Sequence, residues 1–384
     1  MASSTLILLG TRKGAFVLEL DAGRRPASIR GPFCEAMPIQ HVAWDPARGA
    51  LLAGAGSPWY GPIVWRSQDV GETWTHSSAG LTYEPPADEG ATSDAGATRD
   101  EGATGDTGAT GDEASVTRVW NITPVGDSIF AGVEPAGLFR SEDGGLTWSH
   151  VQGLRDHPSR PGWQPGAGGL ILHSIVAHPT DPARMWVGIS AVGVFHTADG
   201  GASWEARNRG VRAVGSPDEY PETGQCVHKF TLHPDRPDVL YQQNHSGAYR
   251  SDDGGVSWAS INDGLPSTFG FPIAVHPHDP RTIWTVPLNG DDRGRYMPDG
   301  RAAVWMSRDE GASWAPQTDG LPQQDAYLGV LREAMAVDRH DEVGVYVGTS
   351  TGQLFGSHDE GRSWTLLADY LPGISSVEAV QLED

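Results

Sequence analysis

Short apolar runs, each closed by polar turn residues, recur along this chain. The clearest unit reads "HSIVAHP" at 173–179, "MWVGI" at 185–189, "GVFHT" at 193–197 and "SWEAR" at 203–207. The next two units repeat the grammar as "HKFTLHP", "DVLYQQ", "GAYRS", "SWASI" and "FPIAVHP", "TIWTV", "AVWMS", "SWAPQ". Runs rich in Val, Ile, Phe, Tyr and Trp, bounded by Gly, Pro, Asp and Asn, are strand signals. Each unit therefore predicts four short strands. Before the fourth run stands one motif, Ser/Thr-x-Asp-x-Gly-x-Ser/Thr-Trp. It occurs as "SQDVGETW" (67–74), "SEDGGLTW" (141–148), "TADGGASW" (197–204), "SDDGGVSW" (251–258), "SRDEGASW" (307–314) and "SHDEGRSW" (357–364). After the first interval these boxes recur every 50 to 56 residues, the length of a four-stranded propeller blade.

The box reads as a hairpin turn between third and fourth strands. Its Asp accepts backbone N–H bonds, its Gly takes positive φ, and its hydroxyl gives the Asp a further local donor. The Trp opens the next strand and wedges between blades, so Trp74, Trp148, Trp204, Trp258, Trp314 and Trp364 are packing residues. On this reading the boxes are architecture and not chemistry. The chain ends complete the pattern. "TLILLG" (5–10) and "GAFVLEL" (14–20) look like second and third strands without a first; "SSVEAVQL" (375–382) looks like a first strand without the others. Joining them makes a seventh blade and removes the free edges of the ring. The expected fold is all-β: a seven-bladed β-propeller of four-stranded blades, one domain over 1–384, with six blades as the alternative.

The first interval is longer because 84–115 is an insert. Residues 89–112 repeat one acidic Gly-Ala-Thr hexapeptide four times, with no large apolar side chain. Such a segment buries too little to order itself, so it is expected to be disordered. Deleting 89–112 is expected to leave the melting temperature nearly unchanged, because loop length costs little; a large loss of stability in a thermal melt would contradict this. The net charge of −22, part of it in the insert, argues against nucleic acid or an anionic membrane as main partner. Two cysteines, Cys34 and Cys226, make no disulfide framework. The first apolar run, of four residues, is too short for a signal-peptide core, and no stretch has membrane-spanning length. The expected location is cytoplasmic; the oligomeric state is left open.

The six boxes, as a set, resemble the bacterial neuraminidase, or Asp-box, repeat family, and the strand grammar extends the resemblance over nearly the whole chain. "GTRKGAF" (10–16), "GQCVHK" (224–229) and "YQQNHSG" (241–247) are similar to bacterial proteins described as exo-sialidases or glycosyl hydrolases. The resemblance implies a propeller and a small polar or sugar-like ligand. It departs from the family's sialidases, which carry an Arg-Ile-Pro signature, an arginine triad and a Tyr/Glu nucleophile pair. The nearest text here is "SIRGPF" (28–33), so ordinary sialidase activity is not expected. Family xyloglucanases grip a polysaccharide between two propellers; this chain has one.

Aligning the first strands on their closing turns puts Gln40, Arg118, His173, His228, Phe271 and Glu333 at one level. Positions two and four residues on, such as Ile175 and Ala177 or Phe230 and Leu232, are apolar. Alternation with period two then places the polar set at the channel mouth. Neighbouring loops add Arg12, Lys13, Glu134, Asn244, His245, Arg295 and Tyr296. One reading is a wet rim; the other is a ligand site. As an enzyme, a hydrolase or lyase, His173 or His228 serves as acid or base with Glu333 as partner, and Arg118 holds a carboxylate or developing negative charge. As a metal centre, His173, His228 and Glu333 bind a divalent ion. The non-catalytic alternative is a scaffold that binds protein or peptide on the same face. His178, His233 and His276 sit in repeated His-Pro turns and read as structural. Cys226, two before His228, is either a thiolate–imidazole partner or an inert thiol.

Overall fold

The computed structural model describes residues 4–57, 59–83 and 115–382; the acidic repeat at 89–112 lies outside them. Apart from one helical turn, Gln152–Arg155, and a few 3-10 turns, the regular structure is antiparallel strand. One four-stranded sheet runs Leu172–Ala177, Met185–Ile189, Gly193–Thr197, Glu205–Ala206, and the two sheets that follow repeat the order, as the sequence units predict. Residues 39–150 hold two quartets, linked by a single bridge between Gly56 and Arg118. The strand Ile374–Leu382 pairs with Ser4–Thr11, which continues into Gly14–Leu20 and Pro26–Phe33. The first strand of each quartet packs against that of the next, and Ile374–Leu382 packs against both Met335–Val337 and Ile39–Asp45. No helix among the described residues is long and apolar enough to cross a membrane.

The core lies between sheets, and the box tryptophans belong to it. Trp148, Trp204, Trp258 and Trp364 are buried. Trp258 and Trp314 donate their indole N–H to carbonyls of the preceding sheet, at Arg207 and Ile261, both at 2.8 Å. All six box glycines take φ between +86° and +98°, the left-handed region in which a side chain is strained. In the second box, Asp143 accepts bonds from the Ser141 hydroxyl (2.8 Å), the Leu146 and Thr147 N–H groups (3.0 and 2.9 Å) and the Thr147 hydroxyl (2.6 Å). Slight burial pushes its carboxyl up, but these donors outweigh it and hold the pKa at about 2.

This geometry predicts the effect of Asp143→Ala. Losing bonds to a charged acceptor lowers stability by about 1–2 kcal/mol. A carboxylate depressed in the folded state stabilises above its ordinary pKa, and that contribution is lost as pH falls through the folded value. Thermal melts should therefore show a gap between wild type and variant at pH 7 that closes towards pH 2. A gap independent of pH would contradict the hydrogen-bond account.

Five of the innermost strands carry a shift of register near their start. The shifts fall between Ile39 and His41, Val119 and Asn121, Leu172 and Ser174, Val227 and Lys229, and Gly270 and Ile273. A bulge leaves one residue unpaired and turns the alternation of faces over. Gln40, His173 and His228 stand at these bulges.

Candidate functional site

The bulges decide what reaches the channel. His173 is buried and turns into the seam with the next sheet, where Nε2 lies 2.9 Å from the Val227 carbonyl and Nδ1 3.0 Å from the Ser174 hydroxyl. Burial, with the nearby Arg332 charge, pushes its pKa down to about 3. His228 repeats the arrangement one sheet on: Nδ1 donates to the Gly270 carbonyl at 2.6 Å and the ring packs 4.7 Å from Phe271. Burial and Arg332 hold it well below the ordinary imidazole range. Both rings are seam residues held by backbone carbonyls. His173, His228 and Glu333 therefore do not gather their ligand atoms around one point, contrary to the register argument. Among the described residues the group that does is Cys226, His228 and His245.

What faces the channel is the residue one further on. His41 follows Gln40, and Lys229 follows His228. The Lys229 ammonium donates to Glu333 Oε2, and His41 Nε2 lies 3.5 Å from the same oxygen. The carbonyl of Glu333 accepts from Val377 N–H at 2.8 Å, so the C-terminal strand fixes its backbone. That strand also brings Glu378 to the cavity. Burial alone would raise the Glu333 pKa, but Lys229 and then His41 outweigh it and hold it at about 2. Glu378 goes the other way: burial raises it, and the Glu333 charge adds to the rise against opposing pulls from His41 and Lys229. These four side chains line a cavity of about 1030 Å³ that extends along the inner strands to the closing turns at Pro46, Pro179, Pro234 and Pro277. A neighbouring cavity of about 510 Å³ shares His41, Lys229 and Glu378 and adds Asn121. The cavity therefore runs towards the His-Pro turns, not towards the loops that the sequence argument chose as the mouth.

The other candidates have local partners. Arg118 Nε lies 3.0 Å from Glu134 Oε2, which also accepts from Trp120 Nε1 at 2.8 Å. Gln40 is half-buried and Arg12 exposed. Asn244 Oδ1 accepts from the N–H and hydroxyl of Ser246 and so shapes its own turn. Arg295 stands over the Phe269 ring at 5.5 Å, and Tyr296 meets Tyr327 edge-on at 5.2 Å. In the closing turns, Nδ1 of His178, His233 and His276 accepts N–H groups two residues on, at 3.3, 3.1 and 3.0 Å, the role expected of them. His41, Lys229 and Glu378 were missed. The signal for Glu378 was present: a carboxylate within the apolar strand proposed to close the ring.

No family model matches the chain. Over 224 residues, 49% of this chain, it is 26% identical to an oligoxyloglucan-reducing end-specific xyloglucanase of Emericella nidulans, of which that region is 25%. Over 215 residues it is 27% identical to a xyloglucanase of a Paenibacillus species, covering 49% of this chain and 19% of that protein. The chain thus aligns with a quarter or less of either relative. Among solved structures, an ancestral GH74 enzyme superposes with a TM-score of 0.56 at 17% identity, over 87% of this chain and 39% of that one. YCF48 bound to D1 peptide gives 0.53 at 14% identity, over 86% and 81%. The fold is a β-propeller similar to those of glycosyl hydrolases.

Proposed function

We propose that this chain is a seven-bladed Asp-box propeller, closed by its two ends, that hydrolyses a small sugar-like ligand in its central channel. The blade count rests on the seven strand quartets among the described residues and on the pairing of Ile374–Leu382 with Ser4–Thr11. The sugar-like ligand rests on the xyloglucanase relatives. The observation that carries the chemistry is the pair Glu333 and Glu378. Two carboxyl groups line one cavity, one held ionised by Lys229 and His41, the other pushed towards its protonated form by burial. Such a split assigns acid and base. Glu378 donates its proton to the leaving glycosidic oxygen as the bond to the anomeric carbon breaks. Water supplies hydroxyl to that carbon, and Glu333 takes the proton. Lys229 and His41 hold the Glu333 carboxylate in place.

The test is release of reducing ends from a panel of short oligosaccharides, xyloglucan fragments included, by wild type, Glu333→Gln and Glu378→Gln. The reading expects activity in wild type that both variants lose. Inactivity of the wild type across the panel, or equal activity in all three, counts against it. A scaffold reading draws on the exposed Trp59 and Tyr370, 93% and 95% accessible on inter-strand loops, and on the peptide bound to YCF48. It expects peptide capture that Trp59→Ala weakens and the glutamate variants leave alone.

A further inference from the structure

The seam that holds His228 carries a second set of chemical groups. Cys226 lies just before the innermost strand Val227–His233, and His245 lies in the tight turn between Arg236–Asn244 and Gly247–Ser251. The His245 N–H donates to the Cys226 carbonyl at 3.0 Å, so backbone pairing holds the two residues together. His228 donates Nδ1–H to the Gly270 carbonyl, which fixes its tautomer and turns Nε2 towards Cys226, with Sγ 3.6 Å away. One ligand atom from each residue lies within 4.8 Å of the other two.

These separations match a transition-metal site. A tetrahedral zinc with Zn–S near 2.3 Å and Zn–N near 2.0–2.1 Å places sulfur and nitrogen about 3.6 Å apart. The Cys226–His228 pair already stands at that spacing, and bringing in the His245 ring takes a shift of about 1 Å. A carbonyl on the far ring nitrogen is the usual outer support of a metal-bound histidine. A thiolate and two imidazoles suit zinc better than magnesium or calcium. The phenyl rings of Phe269 and Phe271 pack against His228 at 5.3 and 4.7 Å, giving the site a dry wall.

We propose that Cys226 Sγ, His228 Nε2 and a ring nitrogen of His245 bind one Zn²⁺ ion, with a fourth position left for water or an anionic ligand. Arg295 and Arg332 stand over the same phenylalanines, Arg332 at 4.9 Å from the Phe271 centroid. Their guanidinium groups bring positive charge to this aromatic wall. That charge calls for an anion in the fourth position, because zinc with one thiolate keeps a net positive charge. This set shares one residue with the His173, His228 and Glu333 expectation and replaces the other two.

The test is metal titration of the full chain after treatment with chelator and dialysis. Co²⁺ should bind at one ion per chain, develop a thiolate-to-cobalt charge-transfer band, and be displaced by Zn²⁺. Cys226→Ser and His245→Ala should each weaken Zn²⁺ binding by about 100-fold or more, while metal-free melting stays within a few degrees of wild type. His228→Ala is a poorer probe, because it also removes the bond to Gly270. A spectrum without the thiolate band would overturn the proposal. So would Zn²⁺ binding of unchanged affinity in both variants, which would place the ion on surface acids.

Discussion

Removing residues 375–384 is expected to unfold the protein at room temperature or bring it to the edge of unfolding. Ile374–Leu382 pairs with Ser4–Thr11 from Ser4↔Leu382 to Thr11↔Ile374. The truncation strips most of that ladder and takes Val377 and Val380 from two different cores. Each buried valine contributes about 1.5–3 kcal/mol, and each ladder bond about 0.5–1.5 kcal/mol net. Together these losses reach about 10 kcal/mol, comparable with the whole stability of a typical domain. The truncation also exposes the apolar edge of Ser4–Thr11, which invites aggregation. Limited proteolysis and a thermal melt of the truncated chain are the measurements. Melting within a few degrees of the full chain would mean that the C-terminal strand is an appendage and not part of the ring.

The second large effect belongs to the carboxylate pair. Glu333→Gln and Glu378→Gln should each reduce turnover by about 10²- to 10⁴-fold, the range for loss of a general acid or base. Their effects on stability should have opposite signs. The Glu333 pKa is depressed, so its contribution is present above the ordinary carboxylate value and is lost as pH falls towards about 2. Replacing it breaks a buried ion pair with Lys229 at a cost of about 3 kcal/mol near neutral pH, and the deficit should shrink in acid. The Glu378 pKa is raised, so ionising it in the folded state costs stability as pH rises from the ordinary value through the folded one. Glu378→Gln should therefore raise the melting temperature at pH 7 and change little below pH 4. Melts of both variants across pH check the signs. If both destabilise alike at every pH, the two carboxyl groups do not differ in protonation.

Much of the architecture could be read from residues whose roles are local. The box repeats because every hairpin needs the same Asp acceptor and the same positive-φ glycine, and neither depends on distant parts of the chain. The end-to-end pairing was legible because an orphan first strand and an orphan second strand stood at opposite termini. The site was less legible, for one physical reason. Alternation with period two holds only until a bulge, and nothing in "QCVHKFTLHP" marks that His228 bulges into the seam while Lys229 reaches the channel. The same slip exchanged Gln40 for His41. Glu333 lines the cavity from a position the register placed at channel level; of the residues beside it, His41 and Lys229 each lie past a bulge, and Glu378 lies on the last strand.

Glu333 and Glu378 line one cavity with carboxyl pKa values shifted to opposite sides of the ordinary one. A pH titration of carboxyl ¹³C resonances in glutamate-labelled protein tests this, with Glu333→Gln and Glu378→Gln assigning the two signals. The account predicts that Glu333 stays ionised down to about pH 2 and that Glu378 remains protonated above the ordinary carboxylate range. Two signals that both titrate at the ordinary glutamate value would contradict it.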